Sequence, residues 1–270
     1  MLPEVREADA SPEIAAIYAA LRAASGVPLV NLIWRHLASL DGALPFAWAT
    51  VGPAMRGGLV AGARDRLGAS LALPAVAVVT RAQWLAAGLD DQALRTVRDI
   101  VAVYNRGNLT NLVTLTALRR MLEDVPILPG TVHPAPVGAA LPAVPALPKL
   151  TELSLATAAL AKALGDRHDA ASAGIIPSLW LHLAHWPALL AALPGWLGPM
   201  LEAPMLRATR HAAMALADRE GDALRPHYTP PGKPPEHAAM LAALRTFTTL
   251  LIPDMVPVGL ALERALPIPA

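Results

Sequence analysis

The 270-residue chain has no cysteine at all. That excludes disulfides, thiol nucleophiles and thiolate metal sites, and it suits a reducing, cytoplasmic setting. Aromatic residues make up only 4% and β-branched runs are short, which argues against a sheet-rich fold. Charged residues are only 16% and the formal net charge is +1, with no basic cluster, so no nucleic-acid partner is expected. The first residues, Met1-Leu2-Pro3-Glu4-Val5-Arg6-Glu7, lack an apolar core, so no signal peptide is read there. Glycine-rich phosphate loops, GxSxG elbows and nucleotide fingerprints are missing, and the histidines show no metal-ligand spacing. Neither a cofactor nor a metal is therefore expected.

What is present is alanine and leucine. Hydrophobic residues reach 54%, ample for a large core, and the two commonest favour helix. The expected fold class is all-α. Ser11 and Pro12 open a helix whose apolar face is Ile14, Ile17, Tyr18 and Leu21, and Gly26 closes it. A second helix is expected from Pro28, with Leu29, Leu32, Ile33, His36, Leu37 and Leu40 on one stripe. Asp41-Gly42 turns the chain into a third, Leu44 to Met55. Thr80 to Ala87 reads as a short helix, and Asp90 caps a longer one bearing Leu94, Val97, Val101 and Tyr104. Asn105-Arg106-Gly107 is expected to break that helix, a further one running from about Asn108 to Leu122.

Prolines 126, 129, 134, 136, 142, 145 and 148 cannot sit in a packed helix, so 123–150 reads as an extended linker. A second proline-rich loop spans His227 to Pro235. The two sides of the linker look alike. Ile33-Trp34-Arg35-His36-Leu37-Ala38 echoes Leu179-Trp180-Leu181-His182-Leu183-Ala184, and at the same shift Gly52-Pro53 falls on Gly198-Pro199. Ala117-Leu118-Arg119-Arg120 meets Ala261-Leu262-Glu263-Arg264 at nearly the same shift. These registers predict two tandem helical repeats, 1–122 and 151–270, packed as a pseudo-dimer with a ligand site between them. A homo-oligomer is left open.

Between Ala170 and Leu201 there is no Asp, Glu, Lys or Arg, as in a membrane span. Pro177, Pro187, Pro194 and Pro199 interrupt it, and His182 and His185 sit in its middle, so buried helices are expected in place of a span.

Several stretches resemble the group I 2-haloacid dehalogenases: Leu44-Pro45-Phe46-Ala47-Trp48, Ala87-Gly88-Leu89-Asp90-Asp91, Tyr104-Asn105-Arg106-Gly107-Asn108, His185-Trp186-Pro187 and the surroundings of Asp254. The resemblance covers roughly 12–122 and 155–266. It implies an all-α fold of two repeats with the active site between them. It also implies hydrolytic replacement of a halogen next to a carboxylate by direct attack of water, which needs a base, a carboxylate holder and a halide-tolerant pocket.

By that resemblance Asn108 matches the asparagine that positions the water; the residue type serves equally as a helix cap. The catalytic aspartate of the family falls on Leu179, a residue that cannot act as a base, and Ser178 matches the serine before it. Aromatic pocket positions fall on Leu29 and Leu32. Arg35 matches an arginine that either anchors a carboxylate or pairs at the surface. Two residues are candidates for a replacement base. His182 lies three after Leu179, nearly on the same helix face, but also repeats His36 as a structural histidine would. Asp254, in a very apolar stretch, either works or caps a helix. The sequence thus leaves enzyme or binder open: a dehalogenase-like protein acting on or binding a small organic (halo)acid, a non-catalytic binder of an apolar or carboxylate ligand, or a membrane-associated helical protein.

Overall fold

A computed structural model describes residues 2–169, 171 and 174–268. The described residues are helical with no strand. In chain order the helices are α1 (Pro12–Ser25), α2 (Leu32–Leu37), α3 (Ala43–Arg56), α4 (Leu59–Ser70), α5 (Arg81–Ala86), α6 (Asp91–Leu122), α7 (Leu155–Gly165), α8 (Ser178–Leu183), α9 (Pro187–Leu197), α10 (Ala203–Leu224), α11 (His237–Thr246) and α12 (Ile252–Ala265).

Local chemistry sets several boundaries. The Ser11 hydroxyl accepts the Ile14 N–H, Pro12 takes the first turn, and Gly26 ends α1 at φ 68°, in the left-handed region. At α5, Thr80 and Gln83 form a reciprocal capping box. Asp90 Oδ1 accepts the Ala93 N–H at 2.7 Å and opens α6.

Helix α6 is the spine. Its 32 residues run unbroken through Asn105-Arg106-Gly107, where a break was expected. Tertiary contacts override the local signal. Asn105 Nδ2 donates to the Gly259 carbonyl at 3.2 Å and to Glu263 at 2.8 Å. Arg106 donates to the Gly26 and Ala139 carbonyls, and Gly107 lets the Asn31 side chain approach the helix. The spine packs against α4, α10 and α12, with Leu112, Leu115 and Leu118 fully buried. Helix α2 also differs from expectation: it begins at Leu32, not Pro28. The Glu7 carboxylate takes the Val30 N–H at 3.0 Å, and Pro28 and Leu29 form a bend before the helix.

Between α11 and α12 the helix carries one π-helical turn, Phe247–Leu251. Pro253 lacks an N–H and crowds the carbonyl four residues back, so the regular ladder is disrupted there. This turn supplies two walls of the cavity described below.

The proline-rich stretch after α6 is extended, as expected, but it is strapped to the surface. Ala135 N–H bonds the Gly58 carbonyl and Leu141 N–H the Gly26 carbonyl, both at 3.0 Å, while Arg64 holds the Val137 carbonyl. A Cβ on Gly62 would stand 1.9 Å from the His133 carbonyl oxygen. Gly62→Ala is therefore expected to lift the strap and to cost about 1–3 kcal/mol, read as a lowered urea midpoint. An unchanged midpoint would show that the strap adds nothing.

The uncharged stretch, of which residues 170, 172 and 173 lie outside the described residues, is divided among α8, α9 and a 3-10 turn. Another segment, His237–Ala265, is long and apolar enough to cross a membrane, but 61% of its most apolar window is buried inside the protein. A soluble core helix has that property.

Candidate functional site

The spine presents Tyr104, Asn108 and Asn111 at a spacing of four and then three residues, so they share one face. Facing them are Asn31, Leu32 and Ile33 at the start of α2, and Pro177, Ser178 and Leu179 at the start of α8. Phe247, Leu251, Ile252 and Met255, from the π turn and α12, complete a cavity of about 40 Å³. That is room for a few waters or one small substituent. Its walls come from both sides of the linker. Among the described residues no Asp or Glu lines it.

Two asparagines are held in place. Asn111 Oδ1 accepts the Trp34 indole N–H at 2.9 Å. Indole only donates, so the orientation of the amide is fixed and its NH₂ turns away from Trp34. That Nδ2 is buried and has no hydrogen-bond partner within the protein. Leaving such a donor unpaired costs about 1–3 kcal/mol, and an acceptor oxygen in the cavity would recover it. Asn31 packs close over Gly107: a Cβ there would lie 3.1 Å from the Asn31 amide atoms, so a larger residue would push the amide back from the spine. Asn108 lies inside α6 and caps nothing. Leu179 is 1% exposed and closes the wall with a methyl surface.

A second compartment of about 250 Å³ adjoins the first and shares Asn31, Leu32, Tyr104 and Ser178 with it. It adds Leu29, Arg35, His182 and the linker residues 143–147, so the strap is also a wall. A hydrogen-bond chain crosses it. The Tyr104 hydroxyl lies 3.2 Å from His182 Nδ1. His182 Nε2 lies 2.6 Å from the Pro145 carbonyl. A carbonyl only accepts, so Nε2 carries the proton and Nδ1 accepts from Tyr104. Both ring nitrogens are thus engaged, and His182 reaches the cavity only through Tyr104. Burial holds the imidazole below its ordinary pKa, outweighing the Pro145 bond, with His185 adding to the depression. Burial likewise pushes the Tyr104 phenol well up, against the opposing pull of Arg35 and Ser178.

Arg35 lines this compartment and a third one beyond it, while its Nε donates to Glu4 at 2.8 Å. The two roles read for it coexist: it is paired, and it is the cation that faces the cleft.

Asp254 stands elsewhere. It lines none of these compartments and is buried between His168 and Arg210. The Trp180 indole N–H donates to His168 Nε2 at 3.2 Å, so the His168 proton is on Nδ1, 3.4 Å from Asp254 Oδ2. Arg210 Nε lies 3.6 Å from the other oxygen. This placement makes Asp254 a tie between α12, α10 and the approach to α8, in keeping with the structural one of the two roles open to it. It does not cap α12, since no side chain caps that helix.

Sequence reasoning did not single out Tyr104, Asn111 or Asn31 for the site. The signal for the first two was available, since both lie at helical spacing from Asn108 once α6 is known to be continuous.

No family model matches the chain. A configuration-inverting 2-haloacid dehalogenase from Alcaligenes xylosoxydans xylosoxydans is 30% identical over 126 residues, which cover 46% of this chain and 43% of that protein. The match thus spans less than half of the curated relative. Among solved structures, a D-2-haloacid dehalogenase mutant aligns over 98% of this chain and 96% of its own, with a TM-score of 0.79 and 19% identity. A mutant in complex with D-2-CPA gives 0.77 and 19%, covering 98% and 94%. The enzyme in complex with L-LA gives 0.76 and 20%, again covering 98% and 94%. The chain is therefore dehalogenase-like: it has the all-α fold of the D-2-haloacid dehalogenases, and part of its sequence is similar to a configuration-inverting 2-haloacid dehalogenase.

Proposed function

We propose that this protein holds a small organic acid, of the 2-haloacid type, in the cleft between two related helical halves, and that it hydrolyses such acids at most slowly. The observation that carries the proposal is the wall of the first cavity. Asn108, Asn111 and Ser178 offer hydrogen bonds there, Leu179 and Met255 offer an apolar surface, and no carboxylate is present among the described residues. The acid's carboxylate sits in the second compartment facing Arg35, and its C2 substituent enters the first. Displacement at C2 by water needs a base to take a proton as the oxygen attacks, and amides and hydroxyls do not serve at neutral pH. The Tyr104–His182 hydrogen bond favours a second reading, in which His182 draws a proton through Tyr104 and supports slow turnover.

The proposal includes the division into repeats 1–122 and 151–270 joined by 123–150. It is supported by the matching order of elements, with Trp34 and His36 on α2 answered by Trp180 and His182 on α8. It also includes a soluble, cytoplasmic protein, as the related enzymes suggest.

The test is thermal unfolding with 2-chloropropionate, with released chloride assayed in parallel. A saturable rise in the unfolding temperature with chloride at background is expected. No rise and no chloride would remove the proposal. Chloride released at an enzymatic rate, and abolished in Tyr104→Phe, would favour the relay reading.

A further inference from the structure

The first two compartments do not account for a third, larger cavity. About 400 Å³ lies under the N-terminal segment, a volume typical of sites for whole small molecules. Its floor and walls are apolar: Leu147 and Leu150 from the end of the linker, Ile175 and Ile176 before α8, and Leu181 on α8. Its rim carries three cations, Arg6, Arg35 and Lys149, against two carboxylates, of which Glu4 lies 3.5 Å from Arg6 and 2.8 Å from Arg35. Glu7, the other acid on the rim, is already engaged by Arg22 and the Val30 N–H. Leu32 and Ser178 line all three compartments, so the three meet at one point.

That junction has a chemical consequence. An acid whose C2 lies between Leu32 and Ser178 directs its carboxylate to Arg35 and a small C2 substituent to the Asn108 cavity. The remaining direction is the large apolar chamber. We propose that this chamber is a tail pocket and that the ligand class is a medium-chain carboxylate. This inference rests on the reading that a carboxylate occupies the cleft, and extends it from small acids to amphipathic ones.

Calorimetric titration of the whole chain with butyrate and with octanoate tests it. Each buried methylene is worth roughly a fourfold gain in affinity, so octanoate, with four more of them, is expected to bind about 250-fold tighter than butyrate. Leu181→Trp and Leu150→Trp fill the chamber from opposite elements and touch none of the polar groups. Either is expected to remove the chain-length gain and leave butyrate binding unchanged; two variants guard against one failing to fold. Butyrate binding without a gain for octanoate would overturn the tail pocket alone. A gain that persists in both tryptophan variants would also overturn it. Failure of both acids to bind would overturn the tail pocket together with the reading beneath it.

Discussion

Leu179→Asp is expected to raise the rate of chloride release from 2-chloropropionate by about 10²–10⁴-fold over the wild type, the usual worth of general-base assistance. The geometry supports this change over others. Leu179 closes the cavity that Asn108 and Asn111 line, and its side chain differs from aspartate mainly in replacing two methyls by two oxygens. A carboxylate there would meet a wall of amide donors, including the unpartnered Asn111 Nδ2. The surroundings are otherwise apolar, so burial would raise its pKa towards the range where a carboxylate is an effective base. Stability would fall by about 2–3 kcal/mol through loss of a buried leucine. Rates must therefore be measured well below the new unfolding temperature. If Leu179→Asp stays at the wild-type rate while the acid still binds, the missing carboxylate is not what limits turnover.

Asp222→Ala is expected to be the most damaging single change to stability, at about 3–5 kcal/mol out of a total that for such domains is about 5–15 kcal/mol. Asp222 is fully buried on α10. It accepts two bonds of 2.8 Å from the Arg120 fork, one of 3.1 Å from Arg225 and one of 3.2 Å from the Leu128 N–H. Removing it strands two mostly buried guanidinium groups and frees the start of the linker. Burial alone would raise the Asp222 pKa, but Arg120, the Leu128 N–H and Arg225 outweigh it and hold the carboxyl low. A depressed carboxyl contributes stability that is fully present above its unfolded pKa of about 3.9 and is lost as pH falls through the folded value. Urea titrations at pH 7 and pH 3 should therefore show the gap between wild type and Asp222→Ala narrowing in acid. An equal gap at both pH values would contradict the assignment of charge.

The helical class was legible because alanine and leucine dominate, and the ends of α1 because Ser11, Pro12 and Gly26 each act locally. The continuity of α6 was not. Asn105 and Gly107 are poor helix formers, and the turn is helical because Gly259, Gly26, Ala139 and Asn31 come to it from distant parts of the chain. Helix α4 went unread, since Arg64, Asp65 and Arg66 interrupt its apolar pattern, and the long-range pair of Arg66 with Glu220 helps hold it. Asn108, Ser178 and Leu179 could be named from the resemblance, whereas Asn31 and Asn111 depend on contacts that sequence does not display. For Asp254 the sequence leaves a working and a structural role open, because His168 and Arg210 come beside it only in the fold. The seven prolines make 123–150 read as extended, but its part in the cleft depends on His182 and His185 reaching the Pro145 and Ala146 carbonyls.

The central claim is that the Asn108–Asn111 face receives an acid and lacks the base to turn it over. Calorimetric titration of wild type and Asn111→Leu with 2-chloropropionate, with chloride determined in the same cell afterwards, tests it most directly. The account predicts saturable binding to the wild type, binding weakened by about tenfold in the variant through loss of one donor, and chloride at the level of the buffer control. Equal binding to both proteins, or stoichiometric chloride from the wild type, would contradict it.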